Sequence, residues 1–213
     1  MADIGQRIAE GAEALGVRLG DGDAAKLALL LTELERWNRR INLTAVRDTQ
    51  AMVAAHVLDS LAVLPYLHGA SVLDIGTGAG FPGLPLAVAA PERAFVLLDG
   101  NGKKVAFVEH AAGLLGLSNV IAVRARAEDY APGRRFDTVI ARALGSIARL
   151  TELSTGLLAD AGRILALKGQ YPTEELEGED RLRGWDYRVA ALCVPGLSGH
   201  ERHVVCLERS IPE

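Results

Sequence analysis

Apolar side chains recur along this chain with two different periods, and the change between them divides it. Over residues 4–16, Ile4, Ile8, Ala12 and Leu15 fall at helical spacing and Gly16 is a natural stop. Asp21-Gly-Asp23 then offers an N-cap. Beyond it Leu27, Leu30, Leu31, Leu34 and Trp37 repeat on one helical face, with Glu33, Arg36 and Arg40 on the other. A third helix is expected over about Gln50–Tyr66, carrying His56, Leu58, Asp59 and Ser60 in its middle. No glycine- or proline-rich linker separates these helices from Ser71. They read as a cap, residues 1–68, packed on a core, residues 69–213, in one compact unit.

From Ser71 onward short apolar runs alternate with helical patterns. Strands are expected at Val72–Ile75, Ala94–Leu98, Val120–Arg124, Phe136–Ala141 and Gly162–Leu167. Helices fall at Gly83–Ala90, Lys103–Leu115 and Ile147–Ala159, with a charged one at Thr173–Leu182. Strands separated by helices pair in parallel through right-handed crossovers. The last two runs, Tyr187–Val194 and His203–Glu208, are joined only by Pro195–Arg202. That is too short for a crossover helix, so they pair antiparallel. The fold class is α/β, a seven-stranded Rossmann-like sheet of five parallel strands plus a C-terminal antiparallel hairpin.

Composition narrows the class. At 213 residues the chain holds one good core, and 49% hydrophobic with 23% charged residues is ordinary for a globular protein. A net charge of −4 argues mildly against nucleic acid unless a basic face is concentrated locally. Cys193 and Cys206 are too few for a disulfide framework. The five histidines are scattered and no acid or cysteine cluster accompanies them, so no metal site is expected. No basic stretch followed by an apolar run opens the sequence, and no run of about eighteen apolar residues occurs. The expectation is a reduced cytoplasmic protein that spans no membrane and acts as a monomer.

The chemistry gathers at Ser71–Gly83, where an apolar strand ends in Asp74 and runs into Gly76, Gly78 and Gly80 before a helix. A strand, a glycine turn and a helix start make a nucleotide-sized cradle. The dinucleotide fingerprint G-x-G-x-x-G fails because its third glycine would be Phe81, and no Gly-Lys-Ser/Thr follows to make a P-loop. What remains, Asp-x-Gly-x-Gly-x-Gly, is similar to motif I of the class I S-adenosylmethionine-dependent methyltransferases, whose sheet has the strand plan above. A carboxylate there would repel pyrophosphate but suits the ammonium of a methionine moiety.

Ligands of doubly wound sheets lie at the carboxyl ends of the strands. The second strand ends at Asp99, 23 residues past Gly76, where a carboxylate can accept both ribose hydroxyls. The third leads to Arg124, Arg126, Ala127 and Glu128, an acid placed to meet the adenine amine. The fourth ends at Arg142 and the fifth at Lys168.

Several separated runs then carry a narrower resemblance. Trp37-Asn, Ile41-Asn-Leu-Thr44, His56-Val-Leu-Asp-Ser60, Asp74-Ile-Gly-Thr-Gly-Ala-Gly-Phe-Pro-Gly83, Arg142-Ala143, Leu167-Lys168-Gly169 and His200-Glu-Arg-His203 occur in order. Together they resemble the RsmG (GidB) family, bacterial methyltransferases that place a methyl on guanine N7 of 16S ribosomal RNA. The resemblance implies the class I fold, S-adenosyl-L-methionine as donor, and 16S rRNA or the 30S particle as partner. It maps cofactor contacts onto Gly76, Phe81, Ala127, Glu128 and Arg142, beside Asp74, Gly78 and Asp99 from the reading above. One departure is Gly100-Asn101-Gly102, where family members more often carry Ser or a bulkier residue.

The chemistry suits that target. Guanine N7 has an in-plane lone pair and no proton, so alignment rather than a general base is required. Arg142 can bond guanine O6 or a phosphate, and Lys168 can contact phosphate or shape the pocket; both are assigned to catalysis. Exocyclic-amine methylation goes with Asn/Asp-Pro-Pro-Tyr/Phe after the fourth strand, where Ala-Arg-Ala-Leu stands instead. Arg36, Arg39, Arg40, Arg47, Lys103, Lys104, Arg124 and Arg126 are candidates for an RNA face. For Trp37, an aromatic on that face competes with plain core packing. Two other classes stay open: a nucleotide-binding regulatory module without catalysis, and an enzyme acting on a small molecule with the same donor or with NAD.

Overall fold

A computed structural model describes residues 2–177 and 182–210. Its centre is a seven-stranded sheet in the order β3-β2-β1-β4-β5-β7-β6. The strands are β1 (Ser71–Ile75), β2 (Ala94–Asp99), β3 (Val120–Arg124), β4 (Phe136–Arg142), β5 (Leu158–Lys168), β6 (Trp185–Ala191) and β7 (His203–Arg209). The first five run parallel. β7 lies antiparallel to both β5 and β6. Two consequences place the site. The chain winds outward from β1 to β3 and then jumps back to β4, which opens a crevice between β1 and β4. And because β7 is reversed, its first residue, His203, pairs with Lys168, the last of β5. The start of β7 thus joins the carboxyl edge of the parallel strands.

Both faces are covered, which is why the strands read as unbroken apolar runs. Along β2, Phe95 and Leu97 enter one buried cluster, Val96 and Leu98 the other. The first cluster takes in α5 (Gly83–Ala89) and α6 (Gly102–Leu115) through Leu84 and Phe107. It also takes in the amino-terminal helices α1 (Ala2–Ala14) and α2 (Asp23–Asn38) through Ile8, Leu27, Leu30, Leu31 and Leu34. The second is closed by α7 (Ile147–Ser154) through Ile147 and Leu150. Local signals set the ends: Asn101 caps α6 by accepting the Lys103 N–H at 3.0 Å, and Gly116 stops it at φ 68°.

The third helix departs from a regular spiral. It is built from α3 (Thr49–Met52), a π-helical stretch Val53–Leu58, and α4 (Asp59–Leu61), with a 3-10 turn at Leu64–Tyr66. The Asp59 N–H reaches back five residues to the Ala54 carbonyl.

Three expectations shift. The helix expected over Ile147–Ala159 ends at Ser154, and β5 begins early, at Leu158. Residues 159–162 bulge out between the Phe136–Leu158 and Thr138–Arg163 pairs, so the alanine-rich run reads as helix until its partner strand is known. The charged helix expected over Thr173–Leu182 is a single turn, α8 (Thr173–Leu176), and 178–181 lie outside the described residues. The sixth strand sits at Trp185–Ala191 rather than Tyr187–Val194.

Candidate functional site

The glycine turn is tied down by its strands. The N–H groups of Gly76 and Thr77 both donate to the Leu98 carbonyl of β2, at 2.8 and 3.0 Å. The Gly78 N–H donates to Asp99 Oδ2 at 3.0 Å, and Asn101 N–H to Asp99 Oδ1 at 2.8 Å. Asp99 therefore joins the glycine turn to the start of α6, with Lys104 Nζ 3.9 Å away. Gly78 has φ 62°, a conformation that disfavours side chains, although a Cβ there would meet only the Gly76 carbonyl, in ordinary contact at 3.9 Å. At Gly83 the demand is steric: a Cβ would lie 2.1 Å from Leu97 Cδ2 and 2.8 Å from Asp74 Oδ2.

Asp74 is wholly buried behind this turn. Its Oδ2 accepts from the Thr77 hydroxyl at 2.7 Å and from the Gly83 N–H at 3.0 Å, while its Oδ1 has no partner. Burial pushes its carboxyl up to about 6. An orphaned buried acceptor is a costly feature in an otherwise satisfied turn.

Ala127 and Glu128 lie on a one-turn 3-10 helix after β3, Ala127–Asp129. Glu128 is exposed and ion-paired with Arg149 of α7. A backbone N–H and Arg149 hold its carboxyl below its usual range.

The second half of the site lies at the ends of β4 and β5, around a cavity of about 360 Å³. Arg142 and Arg202 converge there on one carboxylate. Arg142 Nη1 donates to Asp59 Oδ2 and to the Ala55 carbonyl, both at 3.3 Å; Arg202 Nε donates to Asp59 Oδ1 at 2.9 Å. Asp59 is only 5% exposed. The next residue on β4's edge, Ala143, has φ 58°, unusual for a residue with a side chain and a mark of a backbone held by its surroundings. Lys168 is bound inward: its ammonium donates to the Gly145 carbonyl at 2.9 Å and to both Glu175 oxygens at 2.7 and 2.8 Å. Beside the cavity the rings of Tyr171 and His203 stand edge to face, 5.5 Å apart, with Tyr171 52% exposed.

Phe81 links the two halves. Its ring is 3% exposed, stacked on His56 at 4.9 Å, with the Arg142 guanidinium 5.7 Å from its centre. Its N–H is taken by the Thr77 carbonyl at 3.0 Å. His56 contacts the Ala55 carbonyl through Nδ1 at 3.0 Å and the Thr44 hydroxyl through Nε2 at 2.9 Å. Burial, with Arg142 adding, pulls the imidazole down to about 4, so it is neutral near pH 7.

These two halves, a glycine turn and an arginine-lined cavity on one sheet edge, lie within the span that a family model for rRNA small subunit methyltransferase G matches, residues 23–205. The chain belongs to that family. A protein from Coxiella burnetii (strain RSA 331 / Henzerling II), named Ribosomal RNA small subunit methyltransferase G, is 42% identical over 200 residues, covering 94% of this chain and 96% of its own. One of the same name from Alkalilimnicola ehrlichii is 46% identical over 196 residues, 92% and 88% of the two chains. Among solved structures, a precorrin-6y C5,15-methyltransferase from Geobacter metallireducens matches with TM-score 0.55 at 17% identity, over 79% of this chain and 91% of that one. M. jannaschii TYW2 in complex with AdoMet matches with TM-score 0.51 at 22% identity, over 68% and 71%. Those likenesses establish the class I methyltransferase fold.

Within that family fold, the groups of this chain fit S-adenosylmethionine. Asp74 has an acceptor to spare behind a turn with φ values of 69°, 62° and 84° at Gly76, Gly78 and Gly80. Asp99 has lone pairs left after its two N–H contacts, since a carboxylate accepts about four bonds. Among the described residues no group of three His, Cys, Asp or Glu is placed to hold a metal, and no helix is long and apolar enough to cross a membrane. Nothing local in the sequence marks Asp59 and Arg202 as site residues. Both stand inside quoted motif runs, but only the fold joins them to Arg142.

Proposed function

We infer that this chain transfers a methyl group from S-adenosylmethionine to N7 of a guanine in 16S ribosomal RNA. The observation that carries the reading is the family match over residues 23–205, which spans both the glycine turn and the arginine-lined cavity. When bound, S-adenosylmethionine supplies an electrophilic methyl on a sulfonium centre. The turn at Gly76, Gly78 and Asp74 takes its amino-acid end, Asp99 its ribose hydroxyls, and Ala127 with Glu128 its adenine. Phe81 is read as backing the site, its buried ring holding Arg142 from behind.

The cavity receives the guanine. Arg142, fixed by Asp59 and Ala55, presents guanidinium N–H groups to O6 or a flanking phosphate and leaves N7 free to attack. No side chain has to remove a proton, and His56, kept neutral and enclosed, serves as a packing partner for Phe81. Lys168 acts through Gly145 and Glu175 by fixing the loop after β4. Tyr171 offers a ring on which an unpaired base can stack. The work of the site is alignment. We further read residues 1–68 as a cap over the same core, and the protein as a cytoplasmic monomer.

The test is transfer of labelled methyl from S-adenosylmethionine to ribosomal RNA from cells lacking the modification, offered both as naked 16S rRNA and as 30S particles. Label at a guanine N7 in either form is expected. No incorporation into any ribosomal RNA or 30S form overturns the reading.

A further inference from the structure

The net charge of −4 poses a question for a protein that must hold RNA. Of the eight basic residues that the sequence singled out, several are occupied within the fold. Arg36 is paired with Glu33 at 2.6 Å, Arg39 with Glu35 at 2.7 Å, and Lys104 lies 3.9 Å from Asp99. Arg47 donates to the Asn38 carbonyl at 3.1 Å and to Asn42. The other four, Arg40, Lys103, Arg124 and Arg126, are exposed and, among the described residues, form no ion pair with a carboxylate.

These four are neighbours. Arg40 and Lys103 line one cavity of about 410 Å³, floored by Trp37 and Ile41. Trp37 packs edge-on against Phe107 at 5.5 Å and leaves part of its indole open. Next to Lys103 is Gly102, and the guanidinium of Arg124 lies against it: a Cβ there would be 3.2 Å from Cζ, Nε and Nη1 of Arg124. Gly102 thus lets the Arg124 guanidinium lie close against the start of α6. Arg126 passes beside Gly100, where a Cβ would be in ordinary contact with its Cγ at 3.7 Å. Two nearby acids are held by other cations, Glu33 by Arg36 and His110 and Glu128 by Arg149.

The row has a definite place. Arg124 ends β3 and pairs in register with Asp99 at the end of β2, and Lys103 opens α6 just beyond. It therefore runs along the same carboxyl edge as the glycine turn, on the side away from the Arg142 cavity. Lys103 at the start of a helix opposes its dipole, so local helix stability does not explain it. A polyanion lying along this edge does.

We propose that Arg40, Lys103, Arg124 and Arg126 form a rim that grips the phosphates of a single-stranded RNA segment flanking the target guanine, with the Trp37 cavity beside it taking one unpaired base. This deepens the reading of the chain as a ribosomal RNA methyltransferase and rests on it. Phosphate contacts of this kind position the strand and carry no sequence information. The indole, packed against Phe107 and His110, keeps a part-open surface beside guanidinium groups, a usual platform for an unstacked base.

The experiment measures methyl transfer to 16S rRNA or 30S particles at a series of salt concentrations, with wild type and with Arg40→Gln, Lys103→Gln, Arg124→Gln and Arg126→Gln. Each substitution is expected to raise KM for RNA severalfold. Each is also expected to flatten the slope of log(kcat/KM) against log[salt] by about 0.7 per lost single-strand phosphate contact. Affinity for S-adenosylhomocysteine in Arg40→Gln and Lys103→Gln should stay at the wild-type value. Unchanged KM and slope in the four variants overturns the rim, as does a higher KM with the slope intact. Absence of transfer by the wild type overturns instead the methyltransferase reading beneath it.

Discussion

The guanidinium of Arg202 meets the carboxylate of Asp59 at 2.9 Å across 143 positions of chain. The same carboxylate holds Arg142 from its other oxygen. One buried anion thus serves two cations at the cavity, which leaves the cluster one positive charge in excess and fixes where that charge points. Removing the anion alone should be costly, because two guanidinia lose their shared counterion. Asp59→Ala is expected to destabilise the fold by about 3 kcal/mol, the lower end for breaking a buried pair since both arginines reach solvent. Methyl transfer should fall with it. Chemical unfolding and turnover measured side by side check this, and wild-type values in both would rule out the clamp.

Arg142→Ala should cost on the order of 100-fold in kcat/KM, the penalty of misplacing a substrate by about 1 Å. Arg142→Lys should not restore it, because an ammonium cannot span Asp59, Ala55 and a guanine as a planar fork does. Steady-state kinetics on ribosomal RNA decides, and a fully active lysine variant would show that charge alone is used.

Gly76→Val should abolish binding of S-adenosylhomocysteine while the protein stays folded. At φ 69° a β-branched residue is strained, and its Cβ would sit 2.9 Å from Leu144 Cδ1. Calorimetric titration reports the binding and circular dichroism the fold. Wild-type affinity would move the cofactor away from this turn.

Tyr171→Ala should raise KM for RNA with little change in stability, because the ring is already half in solvent. Stacking of one base is worth roughly 1–3 kcal/mol, so a rise of about fivefold or more is expected. Tyr171→Phe should keep most of the wild-type value. An alanine variant with the wild-type KM removes Tyr171 from the substrate path.

Two buried groups oppose each other in acid. His56 is held at about 4 against an ordinary 6.5, so the unfolded chain takes up a proton that the folded one refuses, and its contribution to stability is lost as pH falls from about 6.5 to about 4. Asp74 is held at about 6 against 3.8, so the folded chain keeps a proton that the unfolded one releases, and stability falls as pH rises through about 4 to 6. His56→Gln removes the first effect only. Relative to wild type it should gain roughly 3 kcal/mol between pH 6.5 and 4, at 1.36 kcal/mol per pKa unit. Urea unfolding across that range reads the difference, and a constant offset would mean that His56 titrates normally.

The glycine turn was legible because all its information is local. An apolar run, a carboxylate and alternating glycines stand within Ser71–Gly83, and β1 and α5 lie where that pattern puts them. β3 likewise falls on Val120–Arg124. The start of β5 was not legible, because Leu158-Ala159 continues the helical pattern of Ile147–Ala159 and only the pairing of Leu158 with Phe136 makes it strand. Nor was the arginine clamp. Asp59 sat in the middle of a helix pattern and Arg202 in a loop, and nothing local says that the reversed β7 brings position 202 to the edge where β4 and β5 end.

The π-helical stretch Val53–Leu58 has a consequence of its own for how this site can vary. One additional residue in a turn advances everything after it by about 100° around the axis. Asp59, the first residue after the stretch, faces its two arginines with that residue in the count. Substitutions inside 53–58 can keep this phase, whereas a one-residue deletion would leave a better-formed helix pointing its aspartate elsewhere. Length, more than composition, is what this segment has to preserve, and an apparent improvement in helical regularity there would turn Asp59 away from the cavity it helps to wall.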